Sequence, residues 1–246
     1  MTTKERIERN RKAIKENWKD LREIESDRHA GKERPPQFKE PDPEATLIEV
    51  LRLFPSIEQK TLTEVIKNRR STRQYSTIPL TFEEVSYLLY ETSRVVSFKE
   101  RAVFRTIPTG GATNAMETYV YFNNVDGYDK GLYHYVQDSH ELALLKKGEN
   151  LEDDVNEALY QQLRGASVVF FFSAVPYRSE YKYAFCAHKM IAIEAGHAGQ
   201  NLSLAAEVID AGACAIAAYR QDLVDQLLNL DGEEEFATYA FTVGKK

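Results

Sequence analysis

The sequence has little cysteine: Cys186 and Cys214 are the only two in 246 residues. Two cysteines cannot build a disulfide framework, and their spacing matches no metal-binding pattern. Long apolar runs are missing as well. The longest, Ala166 to Val175, is interrupted by Ser167 and Ser173 and is about half of the ~20 residues a membrane-spanning helix needs. The first residues, MTTKERIERNRK, lack the apolar stretch of a secretory signal. Positive charge is not in excess: 32 Lys/Arg against 38 Asp/Glu give a net charge of −6, which argues against nucleic acid as the main partner. There is no GxGxxG motif and no strand–helix alternation, which excludes a Rossmann sheet. His188 and His197 stand nine apart, too far for an i,i+4 ligand pair, so no metal site is expected. The exclusions lead us to expect a soluble, cytoplasmic protein, long enough for one large domain or for one domain plus an appendage.

What is there is unevenly distributed. Residues 1–45 contain 12 Lys/Arg and 11 Asp/Glu, too many charges for a core. Ile7, Ile14, Trp18 and Leu21 form one narrow helical stripe that suits docking on the main body or on a second subunit. Pro35, Pro36, Pro41 and Pro43 then fix φ and predict an extended tether over 34–44. Residues 1–55 are expected to be an arm and tether, and 56–246 the folded domain. Thr61-x-x-Glu64 and Thr81-x-x-Glu84 are capping boxes that each open a short helix. Strands are predicted at 118–125, 167–174 and 237–243, with a hairpin of 131–136 and 140–147. Helices are predicted at 151–163, 182–209 and 222–230. In the long helix, Gly196 and Gly199 would admit another backbone. The mixture predicts an α+β fold.

Four clusters could carry chemistry. Arg69-Arg70-Ser71-Thr72-Arg73 gathers forked donors suited to an anion, although cations at a helix C-terminus are also favoured by the macrodipole. Pro108 to Asn114 (PTGGATN) has adjacent glycines that let a planar ligand approach the backbone, or that simply form a loop. Asp210 to Ala218 is almost all small residues, suited to a flat ligand or to tight strand packing. Its Cys214 has no activating neighbour and reads as a core residue. Lys182-Tyr183 could supply general acid–base chemistry or sit as an ordinary surface turn.

In their order and separation, five blocks resemble the nitroreductase-like FMN oxidoreductases, and within them the SagB-type dehydrogenases, which oxidise thiazolines and oxazolines in peptides. The blocks are RRSTRQY (69–75), PTGGATNAMETYV (108–120), GLYHYVQDSHELALL (131–145), EAGHAGQNLSLAAE (194–207) and LDGEEEFATYAFTVG (230–244). The resemblance implies a central, mainly antiparallel sheet flanked by helices, in an intertwined homodimer. It implies FMN as cofactor, with NADH or NADPH as electron donor, and hydride transfer through flavin N5. Arg69, Ser71 and Arg73, with Arg70 adjacent, would hold the FMN phosphate and ribityl chain. Thr109, Gly110, Gly111, Ala112 and Asn114 would line the flavin from the partner subunit. Ala215, Ile216, Ala217 and Ala218 would cover the isoalloxazine, with the Ala217 N–H near N5. Lys182 and Tyr183 match the pair that serves as general base in azoline dehydrogenases. Asn201 would lie at the dimer interface and reach the flavin indirectly, and Lys245 with Lys246 would stand where many relatives close the phosphate site with Lys/Arg.

The implied substrate is a small molecule or peptide, and a biosynthetic protein is a further partner. Two alternatives stand beside this reading: an NAD(P)H-dependent nitro- or quinone-reductase, and a non-catalytic flavin-fold scaffold that recruits a partner through residues 1–45.

Overall fold

Three helices open where a threonine and a glutamate cap each other's backbone. In the computed structural model, which describes residues 1–100 and 102–246, Thr2 and Glu5 cap α1 (Thr3–Ile14), and a single turn, α2 (Trp18–Leu21), follows. The proline tether leads to β1 (Leu47–Glu49). The boxes read from the sequence, Thr61/Glu64 and Thr81/Glu84, cap α3 (Leu62–Asn68) and α4 (Phe82–Ser93). A hairpin of β2 (Val95–Lys99) and β3 (Ala102–Arg105) comes next, then β4 (Met116–Phe122), β5 (Gly131–Val136) and β6 (Glu141–Lys147). The chain continues as α5 (Leu151–Ala158), β7 (Val168–Ala174), α6 (Tyr177–Tyr183), α7 (Ala187–Val208), β8 (Ala211–Ile216), α8 (Gln221–Leu227) and β9 (Phe236–Lys245).

Among the described residues the main sheet has the order β1-β6-β5-β4-β7-β9-β8, with every neighbouring pair antiparallel. The α+β expectation holds. Both faces of the sheet are covered, which is why β7 reads as a continuous apolar run rather than an alternating one. Val168, Phe170 and Phe172 join the core under α4 and α7, while Val169 and Phe171 join the core under α5 and α8. No helix among the described residues is long and apolar enough to cross a membrane.

Several expectations need correction. The helix expected over 151–163 stops at Ala158, because Tyr160, Gln161 and Arg164 take positive φ. The helix expected over 182–209 is two helices. Ala184 breaks it at φ 42°, and a three-ten turn over Ala184–Cys186 separates α6 from α7. Gly199 is backed not by another backbone but by the Phe241 ring, which fills the place of a Cβ. The strand expected over 118–125 is displaced to 116–122, and the β2–β3 hairpin falls outside the expected elements. Within residues 1–55, β1 pairs with β6, so the end of that stretch belongs to the main sheet.

One end of the second sheet face is closed by buried polar contacts rather than by a helix. Glu117 on β4 accepts from Arg178 of α6 at 2.5 Å and meets His134 Nε2 at 3.1 Å. The same guanidinium donates to the carbonyls of Pro36 (2.8 Å) and Asn114 (3.2 Å). Arg105 donates to the carbonyls of Met116 and Gln37, and Lys39 pairs with Glu235 at 2.6 Å. The tether is thus fastened to the sheet at Pro36, Gln37 and Lys39.

Burial pushes the Glu117 carboxyl up, but Arg178, then His134 and Arg105, outweigh it and hold its pKa at about 2. A depressed carboxylate stabilises the fold fully above the ordinary glutamate range of about 4.3 and loses that contribution as pH falls toward its folded value. Urea unfolding should therefore show stability declining from about pH 4.3 downward through this group. Glu117→Gln, which strands the Arg178 charge, should cost about 3–5 kcal/mol at neutral pH and flatten that acid limb.

Candidate active site

The arginine segment leaves α3 at Arg69, the residue that caps its C-terminus. Arg70 folds back and donates to the carbonyls of Lys67 and Arg69, both at 2.8 Å. Its charge serves the helix end, as the macrodipole reading allows. Ser71 forms a parallel bridge to Ala213, and the Thr72 amide donates to the Ala213 carbonyl at 3.0 Å. The Thr72 side chain occupies the place of a Cβ at Gly212, so this close approach requires glycine. The Tyr75 hydroxyl, bonded to the Thr72 carbonyl and to Thr242, fastens the segment to β9. Ser71 and Arg73 remain exposed and Arg69 half-buried beside β8.

The small-residue stretch is a strand with one open side. Ala215, Ala217 and Ala218 are exposed, while Ile216 packs into the second core. Where β8 ends, a groove of about 630 Å³ opens between α7 and β9, lined by Ile191, Ala195, Gly196, Ala217, Phe236 and Tyr239 among others. The contributions of α7 and β9 to this groove lie outside the four clusters marked by the sequence. Their signal is the run of Ala and Gly on α7, which leaves the helix surface low.

The Thr109–Asn114 turn is held from α7. Gly111, Ala112 and Asn114 all have φ between 53° and 63°. The Thr109 hydroxyl donates to Glu194 at 2.7 Å, and the Met116 amide reaches the same carboxylate at 3.4 Å. Burial raises the Glu194 pKa, against these hydrogen bonds. Sequence reasoning misses this acid, whose only signal is a charge among the small residues of a buried helix face. Lys182 Nζ donates to the Gly111 carbonyl at 3.2 Å, and a Cβ at Gly111 would collide with Lys182 and the Tyr183 hydroxyl. The Trp18 ring meets Tyr183 edge-on at 5.5 Å.

Within one chain, then, Arg69–Arg73 joins the alanines of β8, and the Thr109–Asn114 turn joins Lys182 and Tyr183. Two other expected residues point elsewhere. Asn201 donates to the carbonyls of Thr92 and Thr106, joining the end of α4 to the end of β3. The Lys245 ammonium pairs with Glu84 and bonds the Ile209 carbonyl, and Lys246 pairs with Glu207. Cys186 and Cys214 are buried and free, and no cluster of His, Cys, Asp or Glu among the described residues could hold a metal.

The chain is similar to known proteins over most of its length. A nitroreductase-family protein of Methanocaldococcus jannaschii is 29% identical over 194 residues, covering 78% of this chain and 95% of its own. A nitroreductase-type structure from Anabaena variabilis superposes with TM-score 0.69 at 26% identity. That match covers 82% of this chain, which spans only 42% of the Anabaena chain. A chain of the Escherichia coli microcin synthetase McbBCD complex, solved with truncated pro-MccB17 bound, gives TM-score 0.61 at 20% identity, over 81% of this chain and 78% of its own. A Desulfovibrio desulfuricans structure in complex with FMN gives 0.50 at 18% identity, over 76% and 87%. The Nitroreductase family profile matches residues 66–245, and with the antiparallel sheet and its flanking helices this establishes that the chain belongs to the nitroreductase family.

Proposed function

We propose that this protein is an FMN-dependent oxidoreductase of SagB type, acting on a small-molecule or peptide substrate by hydride transfer. One observation carries the reading: Ser71 and Thr72 of the arginine segment are bonded to Ala213 of β8, and Ala217, just past the end of that strand, lines an apolar groove of about 630 Å³. A phosphate-bearing planar ring asks for this combination, with forked cations at one end and a low, apolar surface at the other. The fit is supported by Gly196, where a Cβ would meet nothing within 4 Å, and by the absence of any large side chain at Ala215, Ala217 and Ala218.

Arg69, Ser71 and Arg73 would hold the phosphate and ribityl chain, and the Ala217 amide would donate toward N5. When bound, the flavin supplies hydride acceptance and donation. The remaining work falls to the chain. Lys182 Nζ, next to the Gly111 carbonyl, takes up the proton released when a substrate ring is oxidised. Glu194 fixes the turn that faces it. The Thr109–Asn114 turn is assigned to the flavin of a second subunit, in a homodimer. Exposed Phe98 and Phe104 on the β2–β3 hairpin and Ile193 on α7 are large apolar groups that a second copy would cover. The Ile7 and Ile14 positions of α1 are likewise exposed, and we assign residues 1–46, ahead of β1, as an arm and tether that stabilises this assembly.

A second reading, an NAD(P)H-dependent nitro- or quinone-reductase, is favoured by the bond from Lys182 Nζ to the Gly111 carbonyl, which gives that side chain a structural partner.

Three measurements test these assignments. The purified protein should show visible flavin absorbance or take up FMN stoichiometrically, and Arg69→Ala with Arg73→Ala should weaken FMN at least about tenfold, the scale of one lost charge-assisted hydrogen bond. A wild-type chain that cannot be loaded with FMN sinks the proposal. Lys182→Ala should retain flavin yet lose about a hundredfold in azoline oxidation; full retention of NAD(P)H-driven reduction of a quinone by that variant selects the second reading. Ile193→Glu should shift the protein from dimer to monomer in sedimentation and lower FMN affinity with it.

A further inference from the structure

Beside Lys182, the N-terminal segment and α6 enclose a second cavity of about 410 Å³. Arg28 and Arg34 line it from the N-terminal segment, Gly111 and Thr113 from the turn, and Tyr181 and Lys182 from α6. Arg178 and Glu100 complete the wall. The charge of Arg178 is matched by Glu117. Arg28 and Arg34 face this space beside Lys182, and Glu100 is the sole acid of the lining among the described residues. In a chain of net charge −6 this local excess runs against the average. Like charges gathered in a concave site repel one another, and a bound anion relieves the repulsion.

The segment that carries Arg28 is held in position. The Arg28 amide donates to the Tyr181 carbonyl at 2.9 Å, and the Tyr181 hydroxyl donates to the Lys32 carbonyl at 3.0 Å. The Tyr177 hydroxyl donates to Asp27 at 2.8 Å. Two tyrosines of α6 therefore staple residues 27–32 alongside Lys182. Among the described residues, the Arg28 guanidinium itself makes no hydrogen bond or ion pair. Arg34 is aimed by the carbonyl of Ala112 (3.0 Å) and by Gln37 Oε1 (2.8 Å). A cavity of this size lies at the small end of ligand sites, enough for a compact group with a few attached atoms.

We propose that this cavity is an oxyanion site that receives a carboxylate or phosphate carried by the substrate, with Arg28 and Arg34 as its specificity-determining residues. The assignment to substrate rests on the oxidoreductase reading above; the oxyanion site itself rests on the geometry alone. Forked guanidinium donors match the planar or tetrahedral oxygens of both groups. The site gives the N-terminal segment a role in selecting the molecule presented to Lys182, and the preferred substrates are acidic ones.

The test is calorimetric titration of the purified full chain, saturated with FMN wherever it takes FMN up and without substrate, using inorganic phosphate in one series and succinate in another at low ionic strength. FMN binding is followed in parallel by quenching of flavin fluorescence. Wild-type chain should bind one anion per chain saturably; tighter phosphate points to a phosphorylated substrate and tighter succinate to a carboxylated one. Arg28→Gln should weaken that binding at least about tenfold, the scale of a lost charge-assisted hydrogen bond, and Arg28→Glu should abolish it, with the melting temperature of both variants unchanged. FMN affinity should not move. Absence of saturable binding, or equal binding by Arg28→Glu, overturns the proposal. Loss of FMN affinity in Arg28→Gln also overturns it, because the cavity then belongs to the flavin. Failure of the wild type to bind FMN, with Arg28-dependent anion binding intact, sinks the oxidoreductase reading and leaves the oxyanion site standing.

Discussion

The arrangement around the site depends on one buried ion pair, Glu117 with Arg178. Both side chains are almost wholly out of solvent, where an ion pair recovers its desolvation cost only if the remaining donors and acceptors are also satisfied. They are satisfied by parts of the chain far apart in sequence: the Pro36 carbonyl in the tether, the Asn114 carbonyl after the turn, and His134 on β5. A hydrophobic pair of similar volume could fill the space and contribute as much stability. It could not join a strand, a helix, a turn and a tether in one fixed orientation. The consequence for chemistry is direct, because Arg178 lies one helical turn before Lys182 on α6. The sheet thereby fixes the direction in which the Lys182-Tyr183 pair leaves the helix.

A second carboxylate repeats the device at the same end of the sheet. Glu235 accepts from Lys39, from the Tyr119 hydroxyl at 2.7 Å and from Ser173 at 2.6 Å. Burial, with the neighbouring Glu235 charge, drives the Tyr119 pKa well up, so the phenol stays a donor. Prolines at 35, 36, 41 and 43 keep the tether from forming a ladder of its own. The sheet end is therefore sealed by a segment whose polar groups are taken up by two acids, not by an amphipathic helix.

How much of this is legible in the sequence follows from what kind of force fixes each part. Capping boxes at Thr61 and Thr81 are local, and they appear where the sequence places them. The β5–β6 hairpin is local too, and its strands fall at 131–136 and 141–147. The break at Ala184 is not local. Lys182 to Ile209 has good helix composition throughout, but Arg178 draws α6 to the end of the sheet while Ile191, Ala195 and Leu202 draw α7 onto its face. Two tertiary anchors override one propensity, and a single residue at positive φ takes up the difference. The candidate site divides in the same way. The arginine segment and the small-residue stretch are each visible as compositional anomalies, whereas the groove beside Ala217 also needs Phe236 and Tyr239, which read as ordinary strand residues.

Charge distribution is readable only where it is contiguous. Arg69, Arg70 and Arg73 stand together in sequence, so they are visible there as a candidate anion site. The fold commits one of them, Arg70, to its own helix end. The cluster of Arg28, Arg34 and Lys182 has no such signature: two members lie in a stretch where nearly every cation has an acidic neighbour in sequence, and the third is some 150 residues away. Only the stapling of residues 27–32 onto α6 separates these cations from that balanced background and sets them around a cavity. An arm that looks electrically neutral when counted by composition thus places Arg28 and Arg34 around the cavity beside Lys182. Counting charges along the chain measures solvation, while electrostatic recognition depends on which charges the fold gathers around one concave space.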